Sequence, residues 1–304
     1  MNRKNKPKKI ITLGIISTVF LCGLTSFFST SAIAKKRFAT YENKAQTITT
    51  SYGRLSYIDE GSGEVILSCH GICGGYDQAY DSLAGREDSY RILAPSRFGY
   101  PGSDMPANAT IEMQVEAFVE LLDTLHIEKT YVLATSAGGT AAIKFALMHP
   151  ERTKGLILYC SGYPRMEVPE KEIGYAGPPS FLCNDFAMWL ISPLFKPLMG
   201  MERDTLKMIM PFQDKKEGIV FDAKVTNTVM YNNWTEYDLS KLQVPVLMLH
   251  SKDDKLANFD GVKIWVDKIP NCTSFFFEDG GHLMEGNSDK INEYMDNFIR
   301  SSSF

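Results

Sequence analysis

The chain has 304 residues, of which 44% are hydrophobic and 22% are charged, and these proportions are ordinary for a globular protein. They argue against a disordered or low-complexity chain, and the length allows one large domain or two small ones. The formal net charge is −4 and no cluster of Lys and Arg occurs outside the N-terminus, so nucleic acid is not an expected partner.

The first 34 residues have the order of a secretory signal peptide. Residues 1–9 contain five cations and no acid, residues 10–28 are uncharged and mostly apolar, and Ala32 and Ala34 give a small-x-small pattern before a cleavage site. The alternative is a retained anchor, since an apolar helix of this length nearly crosses a hydrocarbon core of about 30 Å. In either case we expect the rest of the chain to be extracytoplasmic, either secreted or tethered to the membrane through residues 10–28.

Beyond residue 46 the chain contains short apolar runs that predict strands. Residues 47–61 are typical of an antiparallel pair that leads into a sheet. Each later run has between four and eight residues, is bounded by turn residues and predicts a strand buried on both faces. These runs are residues 65–69, 90–96, 130–136, 154–160, 244–251 and 272–279.

Helical patterns lie between the predicted strands, at residues 111–125, 138–150, 258–269 and 288–299. Strands that alternate with helices predict an α/β fold, with a mostly parallel central sheet and helices on both faces. Residues 162–238 break the alternation and are predicted to form a mainly helical cap over one end of the sheet. The predicted organisation is a leader at 1–34, a core in two parts at 46–161 and 239–304, and the cap between them.

Six cysteines are present, and five of them lie beyond residue 34. An odd number cannot all pair internally, although one disulfide stays open as an alternative. Cys69 and Cys73 are four residues apart, but no second Cys/His pair has the spacing of a metal site. We therefore expect no bound metal, and we expect these cysteines to be small buried hydrophobic residues.

Ser136 is the candidate nucleophile. It follows the predicted strand at 130–136 and precedes the helical pattern at 138–150. A serine on a sharp turn between a strand and a helix needs small residues two positions before and after it, and Ala134 and Gly138 meet that need. The usual pattern is G-x-S-x-G, so Ala134 is a mild departure. The alternative is that Ser136 caps an ordinary helix.

A serine nucleophile needs a general base, and His282 is the candidate. It follows two glycines after the last predicted strand, in a loop at the carboxyl edge of the sheet, where Ser136 also emerges. The alternative for a single histidine in a loop is a solvated side chain. His126 and His149 stand at helix ends, where the helix dipole favours them, and His250 is expected to be structural.

The base needs an acid that orients it, and the loop after residues 244–251 offers two, Asp253 and Asp254. Either one gives the order Ser, Asp, His along the chain, which is an order known for a nucleophile on such a turn. We favour Asp254 and keep Asp253 as the alternative.

Taken together, five motifs resemble the α/β-hydrolase superfamily, and most closely its capped esterase, lactonase and carbon–carbon hydrolase branch. They lie within residues 46–300 and are HGICGG at 70–75, SRFGYPGS at 96–103, ATSAGG at 134–139, HSKDD at 250–254 and EDGGHLM at 278–284. In that family the acid lies four residues after the first residue of an H-G-x-x-D pattern. This position is Asp254, counted from His250, with Ser251 in place of the glycine. The resemblance also implies an oxyanion hole formed by the backbone N–H groups of Ile72 and Ala137.

The resemblance implies a serine hydrolase that cleaves a carboxylic ester, or a related acyl bond, of a small hydrophobic substrate through an acyl-enzyme. It implies no metal and no organic cofactor. A dehalogenase or an epoxide hydrolase of this fold would carry Asp in place of Ser136. The alternatives are a cofactor-free haloperoxidase with the same triad, a peptidase similar to proline iminopeptidases, and a non-catalytic, membrane-tethered binding protein. A peptidase would need acids in the cap, which Glu167, Glu170 and Glu172 could supply.

The cap is rich in apolar side chains, which we predict to pack as the core of a lid or, alternatively, to line a substrate pocket. They are Phe181, Phe186, Met188, Trp189, Leu190, Phe195 and Met199. Arg97 is predicted to form a salt bridge within the scaffold, and contact with an anionic substrate is the alternative. His70, the first residue of the HGICGG motif, is expected to be a buried structural residue.

Overall fold

The computed structural model describes residues 6–302, with the backbone alone for residues 6–17 and for Val19. Eight strands form one sheet. They are β1 (Gln46–Thr50), β2 (Gly53–Gly61), β3 (Glu64–Cys69), β4 (Tyr90–Pro95), β5 (Thr130–Thr135), β6 (Thr153–Tyr159), β7 (Val246–Ser251) and β8 (Cys272–Phe277).

The spatial order of the strands is β1-β2-β4-β3-β5-β6-β7-β8. β2 pairs antiparallel with both β1 and β4, and each later pair of neighbours is parallel. The predicted antiparallel entry and mostly parallel sheet are therefore confirmed. Parallel strands point their carboxyl ends to one edge, so the loops after β3, β5, β7 and β8 meet there.

The core helices lie in two layers on opposite faces of the sheet. On one face, α3 (Ile111–Thr124), α4 (Gly139–Met148) and α10 (Phe259–Val266) bury their apolar sides in one cluster. On the other, α2 (Tyr76–Asp81) and α11 (Ser288–Ser301) bury theirs in a second. Four of these helices were predicted, and α2 was not.

The last strand differs from the prediction of burial on both faces. Most residues of β8 are only half-buried, whereas all six residues of β5 and all six of β7 are buried. The reason is position, since β8 forms the edge of the sheet and has only β7 beside it. Phe275 of β8 is covered in part by the ring of Tyr294 of α11, on which it stacks.

The cap lies between β6 and β7 and is helical, as predicted. Its helices are α5 (Asp185–Ile191), α6 (Phe195–Met199), α7 (Leu206–Ile209), α8 (Lys216–Phe221) and α9 (Asn227–Asn232). Residues 160–245, all of which the structure describes, contain no strand.

The apolar residues of the cap divide between interior and surface. Met188 and Phe195 are buried in a cluster made mostly of cap residues, whereas Phe181, Phe186 and Leu190 are exposed. The prediction that all seven apolar residues pack the interior is therefore wrong for these three.

The N-terminal segment forms one helix, α1 (Lys6–Glu42), which continues beyond the predicted leader. Its second half packs on the body of the protein, with Ala34 and Phe38 buried and Phe27 in edge contact with Phe186 and Trp189 of α5. Within the part of the chain that the structure describes, no helix combines the length and the apolar character needed to cross a membrane.

Candidate active site

Ser136 stands on a tight turn between β5 and α4. Its φ is +51°, in the left-handed region that non-glycine residues rarely adopt. Two positions later the chain passes so close to β3 that a Cβ on Gly138 would lie 2.2 Å from the carbonyl oxygen of Cys69. Only a residue without a side chain fits there, and Ala134 on the other side is fully buried. The turn therefore presents Ser136 at the carboxyl edge of the sheet, on a strained backbone.

His282 lies in the loop after β8, directly opposite Ser136. Its Nε2 atom is 2.8 Å from the Oγ atom of Ser136. The two preceding glycines have φ of +120° and +61°, and the N–H of His282 donates to the carbonyl of Gly200 in the cap at 3.1 Å. The glycines allow the turn, and the cap carbonyl fixes it, so the imidazole is held in line with the hydroxyl.

Asp254, in the loop after β7, completes a hydrogen-bonded chain of three side chains. Nδ1 of His282 lies 2.9 Å from Oδ2 and 3.0 Å from Oδ1 of this carboxylate. The N–H groups of Leu256 and Ala257 also donate to Oδ1, at 2.8 and 3.0 Å. Burial raises the pKa of Asp254, but the hydrogen bonds and the attraction of His282 outweigh burial, and the net pKa is lowered. The carboxylate is therefore ionised at neutral pH.

The neighbouring Asp253 has a different set of partners. It accepts hydrogen bonds from the N–H of Gly281, at 2.9 Å, and from the hydroxyl of Ser251. It thus ties the loop after β7 to the loop that carries His282. His250 is fully buried and donates from Nε2 to the carbonyl of Ala257 at 2.7 Å. Burial lowers the pKa of His250, so this imidazole is neutral and serves the loop that holds Asp254.

The loop after β3 supplies the peptide groups that face Ser136. His70 is fully buried, and its Nε2 atom accepts from the N–H of Arg97 at 2.9 Å. Its Nδ1 atom therefore carries the proton and donates to the carbonyl of Gly71 at 2.8 Å. Burial, and then the charge of Arg97, lower the pKa of His70 well below its usual value. The neutral imidazole is structural, as predicted for this position.

Ser136 and His282 line a cavity of about 550 Å³ between the core and the cap. Ile72 and Ala137, the predicted oxyanion residues, line it beside Ser136. Most of the remaining wall is apolar and rich in methionine. It includes Met188, Met199, Met201, Ile209, Met230 and Leu256.

Among the described residues that line this cavity, Arg165 is the one Lys or Arg, and it packs over the ring of Tyr231. No Asp or Glu side chain within the described part of the chain lines it. Glu172 instead lines a separate depression on the cap, and Glu167 and Glu170 are exposed. The acidic residues of the cap are therefore not placed to bind an amine beside Ser136.

Four of the cysteines beyond residue 34 are buried and Cys272 is half-buried, and all five are free thiols. Among the described residues, no group of three or more His, Cys, Asp or Glu side chains is placed to hold a metal ion.

Sequence reasoning missed two residues that hold this site together. Gln78, on the unpredicted helix α2, accepts from the N–H of Gly71 at 2.7 Å. Asp222, in the cap, forms a buried ion pair with Arg97. This pair confirms the scaffold role predicted for Arg97. No sequence pattern marks either missed residue. Gln78 lies only seven residues from Gly71 but on a helix of six residues, and Asp222 lies 125 residues from Arg97.

Comparison with known proteins agrees with this architecture. Residues 64–231, more than half of the chain, match the family described as alpha/beta hydrolase fold. The chain is 29% identical over 273 residues to a protein of Bacillus subtilis named Uncharacterized hydrolase YcgS, with 80% of this chain and 93% of the relative covered. It is 25% identical over 264 residues to 2-hydroxy-6-oxo-6-phenylhexa-2,4-dienoate hydrolase of Burkholderia cepacia, with 75% and 85% covered.

Among solved structures, a thermophilic esterase from Thermogutta terrifontis is similar with a TM-score of 0.68 at 20% identity, which is a likeness in fold. The similarity covers 86% of this chain and 99% of that chain. The sheet order, the capped carboxyl edge and the family match lead to one conclusion: the chain belongs to the α/β-hydrolase fold family.

Proposed function

We propose that this hydrolase is a serine esterase that cleaves the carboxylic ester of a small, mainly apolar substrate through an acyl-enzyme. The observation that carries the proposal is the continuous chain from the Oγ atom of Ser136 through His282 to Asp254, with distances of 2.8 and 2.9 Å. These distances match what a nucleophile, a general base and an orienting acid require.

In the proposed reaction, Oγ of Ser136 attacks the ester carbonyl while Nε2 of His282 accepts its proton. The carboxylate of Asp254 fixes the Nδ1–H tautomer and stabilises the imidazolium that forms. The N–H groups of Ile72 and Ala137 donate to the oxyanion of the tetrahedral intermediate, and one such donor is worth roughly 10²–10³ in rate. His282 then protonates the leaving alcohol, and a water molecule activated by the same imidazole releases the acid.

The cavity supports an apolar acyl or alcohol group in the substrate. Its volume of about 550 Å³ falls in the range of ordinary small-molecule sites, and methionine side chains adapt to varied apolar shapes. Because no Asp or Glu among the described residues lines the cavity, none of them pairs there with the free amine of a peptidase substrate. This observation favours an esterase over a peptidase.

Two different reactions would use the same three side chains, namely the hydrolysis of a carbon–carbon bond and cofactor-free haloperoxidation. Neither has a specific contact in the cavity that favours it over ester hydrolysis. A non-catalytic binding protein would have no need for an aligned hydroxyl, imidazole and carboxylate, so the hydrogen-bonded chain argues against that class.

Matched substrates test the proposal. We expect the purified chain to hydrolyse p-nitrophenyl butyrate and to leave the p-nitroanilide of the same acid almost intact. The alanine variant of Ser136 should show neither activity while keeping the circular dichroism spectrum of the wild type. Faster cleavage of the anilide would favour a peptidase, and no cleavage of any ester would refute the proposed function.

We also propose that the enzyme acts outside the cytoplasm and stays tethered through the uncharged residues 10–28. Support comes from the five cations before this segment and from the packing of α1 on the body. Cleavage after Ala34 would remove Phe27 from its contact with Trp189 and would remove Ala34, which is fully buried against the body. The packing therefore favours the retained anchor over the cleaved signal peptide.

A further inference from the structure

A carboxylate of the cap reaches into the core beside the candidate active site. Asp222 begins a π-helical turn (Asp222–Thr226) between α8 and α9, and its side chain is completely buried. It forms a two-pronged ion pair with Arg97, in which Nη2 lies 2.7 Å from Oδ2 and Nη1 contacts Oδ1. Burial disfavours the charge of Arg97, but Asp222 more than offsets this and raises its pKa. Arg97 therefore keeps its positive charge in the buried pair.

The same guanidinium hydrogen-bonds to the loop after β3. Its Nε atom donates to the carbonyl of His70 and its Nη2 atom to the carbonyl of Gly71, each at 3.2 Å. Tyr100 adds a second link, since its hydroxyl donates to Oδ2 of Asp222 at 2.6 Å and accepts from the N–H of Cys73 at 3.3 Å. The peptide groups on both sides of residue 72 are thus tied to one cap carboxylate.

The hydrogen bonds to the carbonyl of Gly71 determine where the N–H of Ile72 points. In a planar trans peptide the C=O of one residue and the N–H of the next point in opposite directions. The carbonyl of Gly71 is directed at Arg97 and His70. The N–H of Ile72 is therefore directed away from them, and Ile72 lies in the wall of the cavity next to Ser136. No acceptor for this N–H exists among the described residues, which leaves it free for a substrate oxygen.

We propose that Asp222 and Arg97 are positioning residues that aim the N–H of Ile72 at the oxyanion, so that the cap helps to assemble the catalytic site as well as to cover it. This inference rests on the proposed serine esterase function. A loss of the ion pair lets the Gly71–Ile72 peptide rotate, and misdirected donors stabilise the transition state less than fixed ones.

A second buried link between cap and core provides a matched control. Nζ of Lys215 lies 3.1 Å from Oδ2 of Asp77, and both side chains are completely buried. Neither residue hydrogen-bonds to residues 70–73 in the part of the chain that the structure describes. Lys215→Met therefore weakens the attachment of the cap without touching the peptide of Ile72.

The test compares Asp222→Asn, Tyr100→Phe and Lys215→Met with the wild type below the Tm of every variant. The readouts are kcat and KM for p-nitrophenyl butyrate and the Ki of a hexyl trifluoromethyl ketone. This ketone forms a tetrahedral adduct with the serine, and its oxyanion needs the same N–H groups. For Asp222→Asn we expect kcat to fall about 10- to 100-fold, Ki to rise by a similar factor and KM to stay within about threefold.

Tyr100→Phe should change kcat and Ki in the same direction by a smaller factor, and it replaces Asp222→Asn as the decisive variant if the latter does not fold. Lys215→Met should lower the Tm but leave kcat and Ki within about twofold of the wild type. Unchanged kcat and Ki in the decisive variant, or losses no larger than those of Lys215→Met, would overturn the positioning role. A wild type that neither hydrolyses the ester nor binds the ketone would refute the proposed function itself, and the positioning role with it.

Discussion

Nδ1 of His282 lies 2.9 Å from Oδ2 of Asp254, so a buried, ionised carboxylate holds the proton-bearing side of the imidazole. This pair leaves Nε2 facing Ser136 as the acceptor that a serine nucleophile requires. The sequence offers two consecutive aspartates, Asp253 and Asp254, as the partner of His282. In the fold Asp254 contacts the imidazole, and Asp253 accepts a hydrogen bond from the N–H of Gly281.

The two aspartates should therefore differ sharply when each is replaced by its amide. Asp254→Asn should lower kcat by about 10⁴, because an amide cannot stabilise the imidazolium and favours the wrong tautomer. Asp253→Asn should lower kcat by less than about tenfold, because it weakens the hydrogen bonds from the N–H of Gly281 and the hydroxyl of Ser251 and leaves the contact between His282 and Asp254 in place. Steady-state hydrolysis of p-nitrophenyl butyrate measures both. A larger loss of kcat in Asp253→Asn than in Asp254→Asn would contradict the assignment of Asp254 as the partner of His282.

Gly138 should not tolerate a side chain. A Cβ there would lie 2.2 Å from the carbonyl oxygen of Cys69 and 2.6 Å from that of His70, both of them backbone atoms that cannot yield easily. Gly138→Ala should therefore lower the free energy of unfolding by about 1–3 kcal/mol or more, and should displace Ser136.

The control for this substitution is Gly174→Ala in the cap, where a Cβ would meet nothing within 4 Å. This variant should be neutral or slightly stabilising. Urea unfolding of both variants gives the comparison, and equal stabilities would show that the turn at Ser136 has room for a side chain.

Stability should fall in acid because of three buried groups. Burial lowers the pKa of His70 and His250 below the ordinary value of 6.5, and hydrogen bonds lower that of Asp254 below 3.8. The unfolded chain thus takes up each proton at a higher pH than the folded chain does. The free energy of unfolding should decline below about pH 6.5 by about 1.4 kcal/mol per pH unit for each imidazole, and the carboxyl should add to the decline below about pH 3.8.

Urea unfolding between about pH 8 and pH 5 measures the contribution of the imidazoles. His250→Gln can still donate to the carbonyl of Ala257 but does not titrate, so its stability should depend less steeply on pH. The exposed His126, replaced by Asn, serves as the control and should leave the slope as it is in the wild type. An equal slope in His250→Gln and the wild type would rule out this account of acid sensitivity.

Patterns that depend on neighbouring residues allowed most of the fold to be predicted. Every strand from β3 to β8 overlaps an apolar run, because burial between helix layers demands uninterrupted apolar side chains. The turn at Ser136 is equally local, since its crowding forces small residues at fixed positions. The choice of Asp254 over Asp253 depended on the family resemblance, because loop geometry decides which of two adjacent carboxylates faces the imidazole.

The contacts that join cap and core could not be predicted in this way. Asp222 is 125 residues from Arg97 along the chain, and nothing in the sequence around either residue indicates the other. The same is true of Gly200, whose carbonyl fixes the loop of His282. The helix α2 is only six residues long and has too few residues for a clear periodicity. The contacts of Asp222 and Gly200 depend on packing between distant segments, whereas α2 was missed because of its length.

The proposed tether predicts that residues 1–34 remain on the protein. Intact mass spectrometry of chain isolated from membranes should give about the 34.1 kDa of the full sequence. A version that lacks residues 1–34 should have a lower Tm, because the buried contacts of Ala34 and the contact of Phe27 with Trp189 are lost. A mature protein that begins at Lys35 would instead establish the cleaved signal peptide.

The most direct test of the central claim is covalent labelling of Ser136 by a fluorophosphonate, which reacts only with a serine that is activated by its base. Peptide mapping of the labelled wild type should place the phosphonate on Ser136. A folded Ser136→Ala variant should not react. A wild type that does not label, or that labels at another residue, would contradict the assignment of Ser136 as the nucleophile.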